Sequence, residues 1–299
     1  MKKVALGKRI RRELRVRALL AVLPMLSSLP HRAAVRIGAV LGWLAWYAIA
    51  RHRRLALRHL ALAFPEKTEA WRRRVGRASF ANLGRSALEL CVARRVDLIG
   101  SVTMGAASLE TLRSVHAEGH GVVAFSCHLG NWELLARRVA AEDVPVGTIA
   151  REANDPRLTA LLEEGRRSTG IESFWRGKPG AIRRSVEHLQ AGGVLAALID
   201  QDTDVAAHFV PFFGRPARTP RAPADLAVRY GTRAIFGRIH RLAPSVHEVV
   251  IERLDVPGGA EAEERSRRLT EAATAAIEAA VREHPEEWVW MHERWRKQP

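Results

Sequence analysis

The chain has 299 residues and 33.2 kDa, with 47% hydrophobic and 27% charged residues, ordinary globular values that exclude a mainly disordered chain and a polytopic membrane protein. Forty-eight Lys and Arg against 32 Asp and Glu give a formal charge of +16, which predicts an anionic partner: nucleic acid, phospholipid, phosphorylated glycolipid or an acidic protein. All but six of the cations are arginine, favouring bidentate contacts to phosphate or carboxylate, and two cysteines, Cys91 and Cys127, are too few for a disulfide scaffold or a Cys-rich zinc module.

Residues 1–17 carry Lys2, Lys3, Lys8, Arg9, Arg11, Arg12, Arg15 and Arg17, followed by an apolar run from Ala18 that Pro24 breaks. A second apolar run, Ile37 to Ala50, is 14 residues long. As a helix it measures about 21 Å against about 30 Å for a hydrocarbon core, short for a lone span. The chain passes from Ala50 straight into Arg51-His52-Arg53-Arg54, with no small-residue cleavage site, so the segment reads as uncleaved. Trp43, Trp46 and Tyr47 between basic clusters have the composition of a helix lying in or dipping into an anionic membrane interface. The alternative is a buried helical hairpin capping a soluble core. We therefore expect a membrane-associating helical segment over residues 1–55 and one catalytic body over 56–299, with a helical lead-in over 56–115.

Within that lead-in, residues 51–100 predict Ala-, Leu- and Arg-rich helices interrupted at Pro65 and Gly84. From about Gly121 short apolar runs (Val122–Ser126, Val144–Ala150, Val194–Ile199, Ala234–Ile239, Glu248–Leu254) alternate with amphipathic segments (Trp132–Ala141, Pro156–Thr169, Ala181–Gln190, Ala222–Tyr230, Ala262–Arg282). That alternation predicts an α/β fold, a mixed central sheet flanked by helices. Asp155 before Pro156 reads as an N-cap with proline at the first helical position, and Gly170 closes the same segment.

The first of these strands runs into Ser126-Cys127-His128-Leu129-Gly130-Asn131-Trp132-Glu133. Ligand sites of open α/β sheets gather at the carboxyl ends of strands, so His128 stands where chemistry is expected. Five residues on a continuous helix rotate by about 140° beyond a full turn, so His128 and Glu133 meet only if a turn intervenes. Gly130 permits the turn, and Asn131 caps a helix beginning at Trp132, with Glu133 in its first turn. From there the Glu133 carboxylate is expected to reach back and fix the imidazole tautomer, leaving the other nitrogen as a general base. On spacing alone, a loop histidine beside a helix-start glutamate is an equal reading.

The block His128-Leu-Gly-Asn-Trp-Glu133 resembles the His-x4-acid motif of glycerolipid-type acyltransferases, in the wording of the bacterial lipid A biosynthesis acyltransferase family. Other passages resemble that family in the same order: Asn82-Leu-Gly-Arg-Ser-Ala-Leu-Glu89, Arg151 with Asn154-Asp155-Pro156, Asp200-Gln-Asp202, Phe209-Val-Pro-Phe-Phe-Gly-Arg-Pro-Ala217, and Pro285-Glu-Glu-Trp-Val-Trp-Met-His292. His208 and Ala150 depart from its pattern. The resemblance implies transfer of a fatty acyl chain from acyl carrier protein to a hydroxyl of a phosphorylated lipid A precursor, at the cytoplasmic face of a bacterial inner membrane, with no cofactor.

On this reading His128 and Glu133 are catalytic, Arg151 and Arg166 bind a headgroup phosphate, and Asn131, Asp200 and Asp202 support the site. Phe209, Phe212 and Phe213 line an acyl channel. Direct attack needs a neutral histidine and no protein nucleophile, and adjacent strand residues face opposite ways, which argues against a Cys127–His128 nucleophile pair. No His-Glu-x-x-His or paired-Cys spacing points to a metal. Two rivals remain: the same fold acting on a phospholipid, aminolipid or mannosylated inositol lipid, and a nucleic-acid-binding protein, suggested by charge alone but lacking any recognition motif.

Overall fold

The computed structural model describes residues 6–259 and 261–299. Lys2 and Lys3 lie outside the described residues, as do the side chains of Lys8, Arg9 and Arg11. Four helices come first: α1 (Leu6–Ser27), α2 (His31–Ala48), α3 (Ala50–Ala63) and α4 (Glu69–Val92). Two of the expected breaks fall inside helices. Helix α1 continues through Pro24, and Gly84 lies within α4. Gly84 has a packing role: it sits against the backbone of Gly38, and Gly42 of α2 sits against Phe80, so α2 and α4 meet at a distance no side chain allows. The expected break at Pro65 is real, and Thr68 then caps α4 by accepting from the Trp71 amide at 3.2 Å.

After a 3-10 turn at Ile99–Ser101 the chain alternates: β1 (Val102–Met104), α5 (Ala106–Ala117), β2 (Val122–Ser126), α6 (Trp132–Ala140), β3 (Val146–Ala150), α7 (Pro156–Arg167), β4 (Ile171–Trp175), α8 (Ala181–Gln190) and β5 (Val194–Leu198). A hairpin of β6 (Ala207–Phe212) and β7 (Arg215–Pro220) follows, then α9 (Ala222–Tyr230), β8 (Arg233–Ala243), β9 (Val246–Leu254) and α10 (Ala262–Glu283). Among the described residues, seven strands form one sheet in the order β1-β9-β8-β2-β5-β3-β4, parallel throughout except for the antiparallel β8–β9 pair. This is the mixed sheet flanked by helices that the alternating pattern predicts.

The strands are apolar on both sides because helices cover both faces. Val123, Phe125 and Phe236 face α9, α10 and the C-terminal tryptophans Trp288 and Trp290; Val122, Ala124, Val146 and Ile235 face α6 and the end of α4. Adjacent β2 and β5 end together, Ser126 beside Leu198, so the loop after one lies next to the loop after the other. That register brings His128 to Asp200.

No single helix among the described residues is long and apolar enough to cross a membrane; α2 and α3 pass such a test only as a pair bent by 92°. Residue 55, the expected end of the membrane-associating segment, falls inside α3. On α2, Val40, Leu41, Trp43, Leu44 and Tyr47 are exposed, on the side away from the glycines that meet α4.

Candidate active site

His128 lies in the turn between β2 and α6. Gly130 makes that turn with φ +62°, and a β-carbon there would strike the carbonyl of Ile239, so only glycine fits. The C-terminal segment clamps the loop: the amide of Val289 donates to the His128 carbonyl at 3.1 Å, and that of Gly130 to the carbonyl of Glu287 at 3.2 Å. His128 is half-buried with its ring edge-on to Trp132, ring centroids 4.8 Å apart.

The carboxylate that holds the imidazole is Asp200, not Glu133. Asp200 is fully buried and accepts three hydrogen bonds: from His128 Nδ1 at 2.7 Å, from the His128 amide at 2.8 Å and from Trp288 Nε1 at 2.7 Å. Burial pushes its carboxyl pKa up, but the facing ring and the two hydrogen bonds of His128 outweigh burial and hold it well below the usual carboxylate range. An ionised acceptor at Nδ1 requires the proton there, so in the neutral ring the lone pair is at Nε2.

Glu133 is committed elsewhere. Arg166 of α7 grips it side-on, Nη2 to Oε1 at 2.6 Å and Nε to Oε2 at 3.0 Å, with both side chains about nine-tenths buried. Arg166 also reaches Thr148 Oγ1 at 3.2 Å. The expected steering bond from Glu133 to His128 is therefore absent, because a guanidinium outcompetes an imidazole for a bidentate carboxylate. The same pairing corrects the expected role of Arg166: the donor edge that would take a headgroup phosphate is turned to Glu133.

The other expected residues scatter. Asn131 does not cap α6 with its side chain; its Nδ2 donates to Glu89 Oε2 at 3.0 Å, within a buried cluster that Arg241 and His247 complete. Asp202 accepts from the Lys297 amide at 2.8 Å and from Arg218 at 3.4 Å, tying down the C-terminal tail. Arg151 is exposed at the end of β3, beside the cavity described below. Asp155 caps α7, accepting from the Arg157 amide at 3.0 Å, as expected.

A cavity of about 740 Å³ opens at His128 and runs between the sheet and α6. Small residues make the room: Ala124 of β2 and Ala196 of β5 leave space beneath Ala136 and Val139 of α6. Phe209, Phe212 and Phe213 do not line it, a correction to the expected acyl channel. Phe212 and Phe213 are core residues packed on Trp288, Trp290 and Phe64, and Phe209 alternates outward from β6 into solvent. Arg151 and Arg176 stand at the mouth, at the ends of the paired strands β3 and β4. Partial burial and the neighbouring Arg151 both lower the Arg176 pKa, and among the described residues neither arginine has an acidic hydrogen-bond partner.

Three residues escaped sequence reasoning. Gln201 and His292 stand beside His128, His292 with its ring centroid 4.7 Å away, and Arg176 shares the cavity mouth. Gln201 lies inside a motif already noted between Asp200 and Asp202, and His292 ends the last one; the missing information was which strand ends are neighbours.

A family model of bacterial lipid A biosynthesis acyltransferases matches residues 3–297. The chain belongs to this family. Among characterised relatives, the lipid A biosynthesis lauroyltransferase of Escherichia coli (strain K12) is 24% identical over 296 residues, 94% of this chain and 90% of that protein. The phosphatidylinositol mannoside acyltransferase of Mycobacterium tuberculosis (strain CDC 1551 / Oshkosh) is 24% identical over 189 residues, 62% of this chain and 58% of its own length. That of Mycolicibacterium smegmatis is 23% identical over the same length. This member of the lipid A acyltransferase family is thus an acyltransferase acting on a lipid acceptor.

Proposed function

We propose that the protein transfers a fatty acyl chain from an acyl carrier protein thioester to a hydroxyl of a phosphorylated lipid A precursor, with His128 as general base. The observation that carries this reading is the 2.7 Å bond between His128 Nδ1 and Asp200 at the opening of an apolar cavity. A cavity of about 740 Å³ lies within the range of small-ligand sites, roughly 300 to 1,000 Å³. The acyl chain occupies the slot under α6, so its thioester carbonyl stops beside His128. The acceptor hydroxyl gives its proton to Nε2 as its oxygen attacks the carbonyl carbon; the C–S bond then breaks, and the leaving thiolate takes the proton from Nε2. Asp200 keeps Nδ1 protonated and stabilises the imidazolium formed in between, the role of the acid in any base–orienter pair.

Glu133 is a positioning residue in this scheme. Its pair with Arg166 fastens the start of α6, and with it the His128 turn, to α7. Arg151 and Arg176 bind the acceptor phosphate, since two neighbouring guanidiniums without an acid favour an anion between them. The apolar side of α2, flanked by arginines, rests on the cytoplasmic face of the inner membrane, where both substrates meet.

Mass spectrometry of lipid A from strains with and without the gene tests the reading. The expected result is a loss of one acyl chain from lipid A in the deleted strain. Unchanged lipid A with an altered glycosylated inositol lipid or phospholipid would instead give the activity to those acceptors, the substrate class of the mycobacterial relatives. The span of the match favours the first outcome, since the lauroyltransferase aligns over 94% of the chain and the mannoside enzyme over 62%.

A further inference from the structure

Gln201 follows Asp200 at the exit of β5 and borders the cavity. Its carboxamide nitrogen is 2.9 Å from His292 Nε2, 3.0 Å from His128 Nε2 and 3.3 Å from His128 Nδ1. Nearly equal distances to both nitrogens of one ring put the amide over the face of the imidazole, since an atom in line with the Nε2 lone pair would be much farther from Nδ1. The Nε2 lone pair is thereby left open to the cavity, with an N–H group directly beside it.

His292 bears on which end of the amide faces the base. Burial, then the nearby His128, drives the His292 pKa down to about 3, so its ring is neutral, and in the tautomer with the lone pair at Nε2 it accepts one Gln201 N–H. The second N–H of the same nitrogen has no in-line acceptor. The amides of the turn itself, His128 to Gly130, are engaged. The His128 N–H goes to Asp200, the Leu129 N–H to the Cys127 thiol and the Gly130 N–H to the Glu287 carbonyl.

We propose that Gln201 is the oxyanion donor of the acyl transfer, and that His292 is the positioning residue that aims it. The proposal rests on the reading of His128 as the base of a lipid acyltransferase. As the acceptor oxygen bonds to the thioester carbon, the carbonyl π electrons move onto its oxygen, and the free Gln201 N–H receives that charge. When the intermediate collapses the pair returns to the carbonyl, and the thiolate departs with the proton held on Nε2. An N–H already oriented by a second histidine needs no reorganisation at that moment.

The test uses the full-length protein in detergent, with lauroyl-acyl carrier protein and a phosphorylated lipid A precursor. Gln201→Met keeps the length and removes the N–H; Gln201→Ala is the second variant should the first melt early. Both should lower kcat on the order of 10²-fold while leaving both KM values within about threefold and the acid limb of the pH profile in place. His292→Ala should lower kcat by a smaller factor, again at unchanged KM, because the donor remains but loses its aim. A kcat for folded Gln201→Met within about threefold of wild type would overturn the proposal, as would a loss that vanishes at higher pH, which would make Gln201 only a modulator of His128. His128→Ala separates the two levels. If it abolishes transfer while Gln201→Met does not, the oxyanion assignment alone fails; if wild type gives no transfer, or His128→Ala keeps it, the underlying reading fails.

Discussion

Asp200 holds His128 from the neighbouring strand end, at 2.7 Å from Nδ1, while Glu133, only five residues along the chain, gives both its oxygens to Arg166. The acid nearest in sequence thus pairs with α7, and the acid nearest in space holds the imidazole.

That division predicts different fates for two substitutions. Glu133→Ala strands the Arg166 guanidinium in a site about nine-tenths buried, which should cost about 3 to 5 kcal/mol of folding stability. His128→Ala should abolish transfer, and because the fully buried Asp200 keeps its other two donors, the His128 amide and Trp288 Nε1, it should cost less stability than Glu133→Ala. Denaturant unfolding of the two variants checks this. The Glu133→Ala/Arg166→Ala double variant should be less destabilised than the sum of its singles, as coupled partners are.

On the proposed reading, the floor of the cavity sets acyl length. Ala196→Leu should intrude on the slot and exclude about two methylenes of chain, worth about 0.8 kcal/mol each, so roughly tenfold in kcat/KM for the longest accepted donor. Competition between donors of different length, read by mass of the product, checks the shift toward shorter chains.

Glu287 gives a pH signature. Burial, opposed by the Arg241 amide and charge, raises its pKa from 4.5 to about 7. Between those values the folded state binds more protons than the unfolded one, so this group makes stability fall as pH rises through that window. Glu287→Gln should lack that slope and, since its amide oxygen can still accept from Arg241, should exceed wild type in unfolding free energy by about 3 kcal/mol above pH 7. Chemical denaturation at pH 5 and pH 8 measures the difference.

Vesicle co-sedimentation tests the exposed side of α2. Val40→Asp with Leu44→Asp should weaken binding to vesicles containing anionic phospholipid roughly a hundredfold, since about 3 kcal/mol of apolar transfer is lost. Binding at wild-type strength would remove α2 from the interface.

Much of this was legible in the sequence where the signal is local. The alternation after Gly121, the Asp155-Pro156 start of α7 and the turn at Gly130 follow from residue types and spacing. What was not legible depends on neighbours in space. Strand β4 (Ile171–Trp175) carries the polar residues Glu172 and Ser173 and is not among the expected apolar runs, and the hairpin β6–β7 contains three prolines in its registered pairs. The pairing of Asp200 with His128 needs β5 to lie beside β2, which no spacing reveals. The aromatic run Phe209 to Phe213 looks like a lipid channel in one dimension, yet two of its rings fill the core under Trp288 and Trp290 because the strand and turn aim them there.

The most direct measurement is the rate of acyl transfer by Asp200→Asn beside wild type, with folding checked by unfolding midpoint. Asparagine keeps the volume but cannot stand as the ionised acceptor at Nδ1, so kcat should fall by about 10³ to 10⁴ with little change in KM. A folded Asp200→Asn protein that transfers acyl chains at the wild-type rate would contradict the account.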